Sequence, residues 1–326
     1  MRRLAVTDVG QVEARAWPGL VAGLVARASP ALIGARTTGG AIALGRFQRG
    51  EAVLTDLALE KRPVRRVTGG RALALGEGLV ALALALPHRS WLVSEEPEAL
   101  PLDSLLNRAV RGLLSGLGLL GVGASYFGRD FLTVDGAQAG YLSFEVDRRG
   151  VTLVECLLAA DAHWWLPEEL SSRPPAPLPR GVPGPGMIAR LAGRTSAQVV
   201  EAVARGYAER FQLQLEGAGG PILPAAPPKV ESLALPRASG LVAIPAGSME
   251  ARVALEDGRI LAARLEGDFL ADSVGLERVE RDLADARPVL EEILPRLDAI
   301  YRDPAHALQG AADLETIARA FVAAAA

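Results

Sequence analysis

Arg65 and Arg66 stand just ahead of Gly69 and Gly70 in the run VRRVTGGR, residues 64 to 71. Guanidinium groups grip oxyanions with paired N–H donors, and glycines let backbone N–H groups come close to a ligand. That combination is the chemistry of a loop that receives phosphate or carboxylate. The two arginines close a strand-like segment, so their side chains leave opposite faces and one of them can address a pocket. A plain β-turn flanked by surface arginines accounts for the same residues without any chemistry.

Few other groups offer catalysis. Lysine occurs only as Lys61 and Lys229, so amines are scarce. Cys156 is the single cysteine, which excludes an intramolecular disulfide and a cysteine-rich metal site. Its leucine-flanked, strand-like setting suits a small buried residue. His88, His163 and His306 are scattered without ligand spacing, so no metal is expected. Gly116, Gly118 and Gly121 match the dinucleotide fingerprint, but that motif needs a strand before it and a helix after it. Here a long helix leads in, so the segment reads as a helix end and turn.

The elements that must position these residues read as mixed α/β. Residues 19–29 form a short apolar helix, 41–49 a buried strand, and 64–87 further strands broken by glycine turns. Residues 100–118 carry leucines at helical spacing on one face. Residues 131–161 read as three strands with turns at Asp135-Gly136 and Arg149-Gly150, which favours a mainly antiparallel sheet. A proline-rich connector at 171–186 precedes a helix over 195–212, opened by a Thr195/Gln198 capping box. Asp257-Gly258 marks a hairpin near the start of a C-terminal section that continues in helices. The expected organisation is a domain over 1–216, a Pro/Gly/Ala-rich linker over 217–247, and a small α+β domain over 248–326.

At 326 residues, half hydrophobic and with a net charge of −3, the chain suits a globular enzyme or binding protein. Nothing in the charge balance favours nucleic acid. The uncharged stretch 112–128 is shorter than the roughly 20 residues of a membrane helix. The start lacks the apolar core of a signal peptide, so no membrane partner and a cytoplasmic location are expected.

Several segments, in order, resemble the lipoate-protein ligases. They are ALGRFQR (43–49), VRRVTGGRAL (64–73), GRDFLTVDG (128–136), GVTLVECLLAAD (150–161) and a C-terminal Gly267-Asp268-Phe269 after a hairpin. The resemblance implies the lipoate/biotin-ligase fold, α+β with a largely antiparallel sheet and a small C-terminal α+β domain. It implies ATP and Mg2+ as cofactors, lipoate or lipoyl-AMP as ligand, and a lipoyl or acyl carrier domain as partner, with a partner subunit as a further possibility. Arg66, Thr68, Gly69, Gly70, Arg71 and Asp130 would hold nucleotide and carboxylate oxygens. The strand Gly45, Arg46 and Gln48, together with Gly140, would line the acyl site.

One element of the pattern is missing. The family's hairpin carries a lysine whose ammonium stabilises charge as it develops. Here the hairpin reads DGAQAG: counting back from Gly140 puts Ala137 at that site, and counting forward from Gly136 puts Gln138 there. Neither is cationic. Arg71 could supply positive charge, but not the geometry of a flexible ammonium. Two readings stand together: a ligase that attaches lipoate or a related acyl group to a carrier lysine through an acyl-adenylate, or a catalytically inactive relative that binds an acyl/adenylate ligand or a carrier domain.

Overall fold

The computed structural model describes residues 1–128, 130–172, 184–217, 220–227, 235–311 and 313–326. Lys229, Arg129 and most of the proline-rich connector lie outside these. The first part of the chain runs β1 (Arg3–Glu13), α1 (Trp17–Ala26), β2 (Ala31–Thr38), β3 (Gly40–Leu44), α2 (Gly50–Val53), α3 (Asp56–Glu60), β4 (Val64–Arg65), β5 (Leu73–Gly76) and β6 (Leu79–Leu86). It continues with α4 (Leu105–Leu119), β7 (Ala124–Tyr126), β8 (Phe131–Val134), β9 (Ala137–Val146), β10 (Thr152–Ala159), α5 (Ser196–Phe211) and β11 (Gln214–Gly217).

Eight strands form one sheet in the order β11-β1-β2-β6-β10-β9-β8-β7. β1 runs parallel to β2 and β11, and the remaining neighbours are antiparallel. This is the mixed, largely antiparallel α+β class expected from the sequence. A three-stranded sheet, β4-β3-β5, lies beside it.

Strand periodicity decides what each face carries. In β6, LVALALAL, the residues Val80, Leu82, Leu84 and Leu86 meet the Leu105, Val110, Leu113 and Val203 side chains of α4 and α5. The alternate residues Leu79, Ala81, Ala83 and Ala85 share the opposite core with Trp17 and Val21 of α1 and with Val67, Leu73 and Leu75 of the small sheet. Gly116 permits the close α4–α5 crossing, because a Cβ there would run into the Val203 backbone. Gly121 follows the helix with φ +75°, so Gly116 serves helix packing and Gly121 helix termination.

The C-terminal part comprises β12 (Arg237–Ala238), β13 (Val242–Ile244), β14 (Gly247–Glu256), β15 (Arg259–Gly267), β16 (Leu270–Ala271), α6 (Ser273–Asp282), α7 (Leu290–Tyr301), β17 (Leu308–Gln309) and α8 (Leu314–Ala325). Met249, Val253, Leu265, Phe269, Ile293 and Phe321 belong to a core of its own. β12 and β13 both pair with β14, so the stretch containing them, assigned to a linker by its composition, contributes to this sheet.

Two sequence expectations concern the positioning of the site. The hairpin turn at Asp135-Gly136 forms as read, with φ +50° and +76°. Gly45 to Gln48, expected to continue a strand, instead leave β3 in a turn: Gln48 Oε1 accepts the Gly45 N–H at 2.7 Å. A Cβ at 45 would overlap the Gly70 carbonyl, so glycine is what lets the two loops touch.

Candidate functional site

β9 and β10 project alternate residues toward the small sheet. Glu155 of β10 stands in register with Ser143 of β9, and Tyr141 follows on the same face of β9. Arg65 and Arg66 point to opposite sides, as the strand geometry requires. Arg65 Nη1 turns outward to bond the carbonyls of Gly45, Arg46 and Gln48 at 2.8, 3.1 and 2.6 Å, which pins the turn after β3.

Arg66 turns inward and is 0% exposed. Its guanidinium donates to Thr68 Oγ1, Ser143 Oγ and Tyr141 Oη, each at 3.3 Å, and to the carbonyls of Gly69 and Arg71 at 3.1 and 2.7 Å. Its charge partner is Glu155, at 3.7 Å. That carboxylate also accepts Thr68 Oγ1–H at 2.6 Å and Trp17 Nε1–H at 2.7 Å. A buried charge survives where it is paired and hydrogen-bonded, and this network supplies a carboxylate and bonds to both terminal nitrogens from within the chain, leaving only Nε without a partner among the described residues.

The glycines are similarly engaged. Gly70 N–H donates to the Phe269 carbonyl at 2.8 Å, and a Cβ at 70 would overlap the Tyr141 hydroxyl. Burial pushes the Tyr141 phenol up against the opposing pull of Arg66, and its hydroxyl donates to the Gly69 carbonyl at 3.2 Å. Trp164 packs against Tyr141 with ring centroids 5.4 Å apart, and both are fully buried. The space between the two sheets is therefore occupied by side chains and by an internally neutralised ion pair.

The other expected site residues are dispersed. Arg71 and Asp130 do come together, in a 2.8 Å ion pair, with Arg71 stacked over Trp165. Gly140 faces Leu132 and Leu158, away from Tyr141. Gln48 is buried, with its amide on the Asp268 carboxylate of the C-terminal part. Ala137 and Gln138 open β9, where the segment 184–186 lies alongside: Gln138 N–H donates to the Gly184 carbonyl and Gly186 N–H to that of Gln138, at 2.7 and 2.9 Å. Gln138 Oε1 is buried without a hydrogen bond among the described residues. Arg46, like Gln48, faces the C-terminal part.

Sequence reasoning missed Glu155, Ser143 and Tyr141. The signal was available in outline: a lone glutamate inside VTLVECLLAA sits at a strand position whose neighbours are all apolar. Its neighbour Cys156 faces the helix side instead, where burial raises the thiol well above its ordinary value.

No protein-family profile matches this sequence, and no curated protein matches it. Solved structures do. P. falciparum LipL1, in complex with lipoate, superposes with a TM-score of 0.61 at 12% identity, covering 90% of this chain and 93% of that one. The bi-partite lipoate protein ligase of Thermoplasma acidophilum superposes with a TM-score of 0.52 at 14% identity, over 67% of this chain and 86% of its own. The chain has the lipoate-protein ligase fold. On that fold the arginine–glycine loop meets its anion in Glu155. Among the described residues, no three His, Cys, Asp or Glu side chains gather to hold a metal, and no helix is long and apolar enough to cross a membrane.

Proposed function

We propose that this protein is a non-ligating binding protein built on the lipoate-protein ligase fold, and that its partner is a lipoyl-type carrier domain. The observation that carries the reading is the state of the loop: Arg66 is neutralised by Glu155 and Gly70 N–H is spent on Phe269. Activation of an acyl group needs donors aimed at developing charge and kept free for it. The absence of a cation at Ala137 and Gln138 supports the same conclusion. The carrier partner is suggested by the T. acidophilum ligase, which belongs to a lipoylation system described with its E2 lipoyl domain. In this reading neither ATP nor Mg2+ is required.

Incubation with ATP, Mg2+, lipoate and a lipoyl domain should add no acyl mass to the acceptor, and Ala137→Lys or Gln138→Lys should not restore transfer. Calorimetry with the lipoyl domain should give a saturable signal that is the same with and without ATP and lipoate. A flat titration removes the carrier from the proposal. Acyl transfer to the acceptor overturns it in favour of the ligase reading, and one feature would then supply the cation: Arg71, beside Asp130, keeps 21% of its side chain exposed.

A further inference from the structure

The turn after β3 presents Arg46 to a cleft of about 600 Å³ between the large-sheet part and the C-terminal part, and this residue has no role in the network between the sheets. The turn is held rigidly by the three Arg65 hydrogen bonds to its carbonyls. We infer that this cleft binds a small organic oxyanion, a carboxylate or a phosphate monoester, with Arg46 as its principal cation.

The argument begins with unmet bonding capacity. Arg46 has five N–H donors, yet its guanidinium donates no hydrogen bond to any described residue, although only 19% of the side chain is exposed. Its contacts are the Phe47 ring, 6.0 Å away, and Glu145 Oε2, at 3.6 Å from Nε. Glu145 is a poor counter-ion. It is 1% exposed, its Oε1 accepts the Ser273 N–H at 3.2 Å, and its Oε2 has no hydrogen bond among the described residues. Burial pushes its carboxyl up to about 8, despite Arg46, so near neutral pH it is mostly uncharged. Ser273, at the start of α6 and lining the same cleft, has a buried hydroxyl beside this carboxyl that forms no well-aligned hydrogen bond.

The remaining charges of the lining cancel in pairs. Arg148 meets Glu277 at 2.8 Å, Arg149 meets Asp147 at 2.7 Å, Arg264 meets Glu280 at 3.0 Å, and Glu266 is 3.4 Å from Arg49. Among the described residues, Arg46 is the arginine of the lining whose only carboxylate neighbour within 4 Å is the buried, hydrogen-bond-poor Glu145. Phe47, Leu265 and Leu276 add apolar surface, and the volume lies in the range of small-molecule sites. An anionic head on Arg46 and Ser273 with an apolar body along these residues uses each of these groups.

The test is calorimetric titration of the full chain with inorganic phosphate and, separately, with hexanoate. At least one should bind saturably to a single site; phosphate alone points to a phosphate monoester, hexanoate alone to a carboxylate. Arg46→Gln should weaken binding by about tenfold or more, and Ser273→Ala by a few-fold. Linear, unsaturable heats with both anions, or Arg46→Gln binding within about twofold of the parent chain, overturn the site. If Arg46→Gln does not fold, Arg46→Lys replaces it, because loss of the planar fork should still weaken binding, and an unchanged affinity refutes the proposal. The cleft shares no residue with the network between the sheets, so this result and the carrier-binding result can fail separately.

Discussion

Arg66 and Arg46 both come from glycine-containing motifs and lie twenty residues apart in the chain, yet they end in opposite circumstances. Arg66 is sealed between two sheets, with every contact supplied by the chain and Glu155 as its counter-charge. Arg46 borders an open cleft, makes no side-chain hydrogen bond to a described residue, and faces a carboxyl that burial keeps mostly protonated. A motif arginine is thus available for a ligand only after its internal partners have been counted. The motif names the cation, and the packing decides whether that cation is free.

The strongest way to break this contrast is to remove the counter-charge of the sealed arginine. Glu155→Ala should destabilise the fold by about 3–5 kcal/mol in urea unfolding, because it strands a fully buried guanidinium. Replacing both members with apolar residues of similar volume, as in Arg66→Met with Glu155→Leu, should cost less than Glu155→Ala alone. A cost of under about 1 kcal/mol for Glu155→Ala would mean that Arg66 is solvated or movable, and the two arginines would then be alike.

At any one pH step a smaller effect should appear, in the pH dependence set by Glu145. Its folded-state value of about 8 lies above the ordinary carboxylate value of 4.5, so the folded chain keeps a proton that the unfolded chain releases. Its contribution to stability is fully present below about pH 4.5, declines by up to about 1.4 kcal/mol per pH unit toward pH 8, and levels off above. Glu145→Gln should remove that slope. Urea midpoints of the two proteins across this window check it, and parallel curves would show that Glu145 titrates normally and does compensate Arg46.

The smallest effect is expected at Arg46 itself. With one long ion pair and no hydrogen bond to lose, Arg46→Gln should change stability by about 1 kcal/mol or less. A loss matching that of Glu155→Ala would place Arg46 among the structural residues and erase its difference from Arg66.

Much of the frame was legible in the sequence because it rests on local rules. The Leu/Ala alternation of β6 assigned its two faces, the Asp135-Gly136 and Asp257-Gly258 turns appeared with the left-handed angles that such pairs favour, and the Thr195/Gln198 capping box formed as read. The ordered motifs also pointed to the fold that the solved structures share. The site was less legible. Gly45 to Gln48 read as a strand because their neighbours alternate, but the turn exists through a contact with Gly70 and through the Arg65 bonds to its carbonyls.

By itself, then, the sequence determined which faces are apolar, where hairpins turn, and that the DGAQAG hairpin carries no lysine. Only the tertiary structure decided that Glu155 neutralises Arg66, that Phe269 takes the Gly70 N–H, and that Arg46 opens onto a different cleft. The reason is the range of the interactions. Periodicity and turn chemistry act over a few residues, whereas Arg66 and Glu155 are separated by most of the large sheet and meet only when β9 and β10 are laid against the small one.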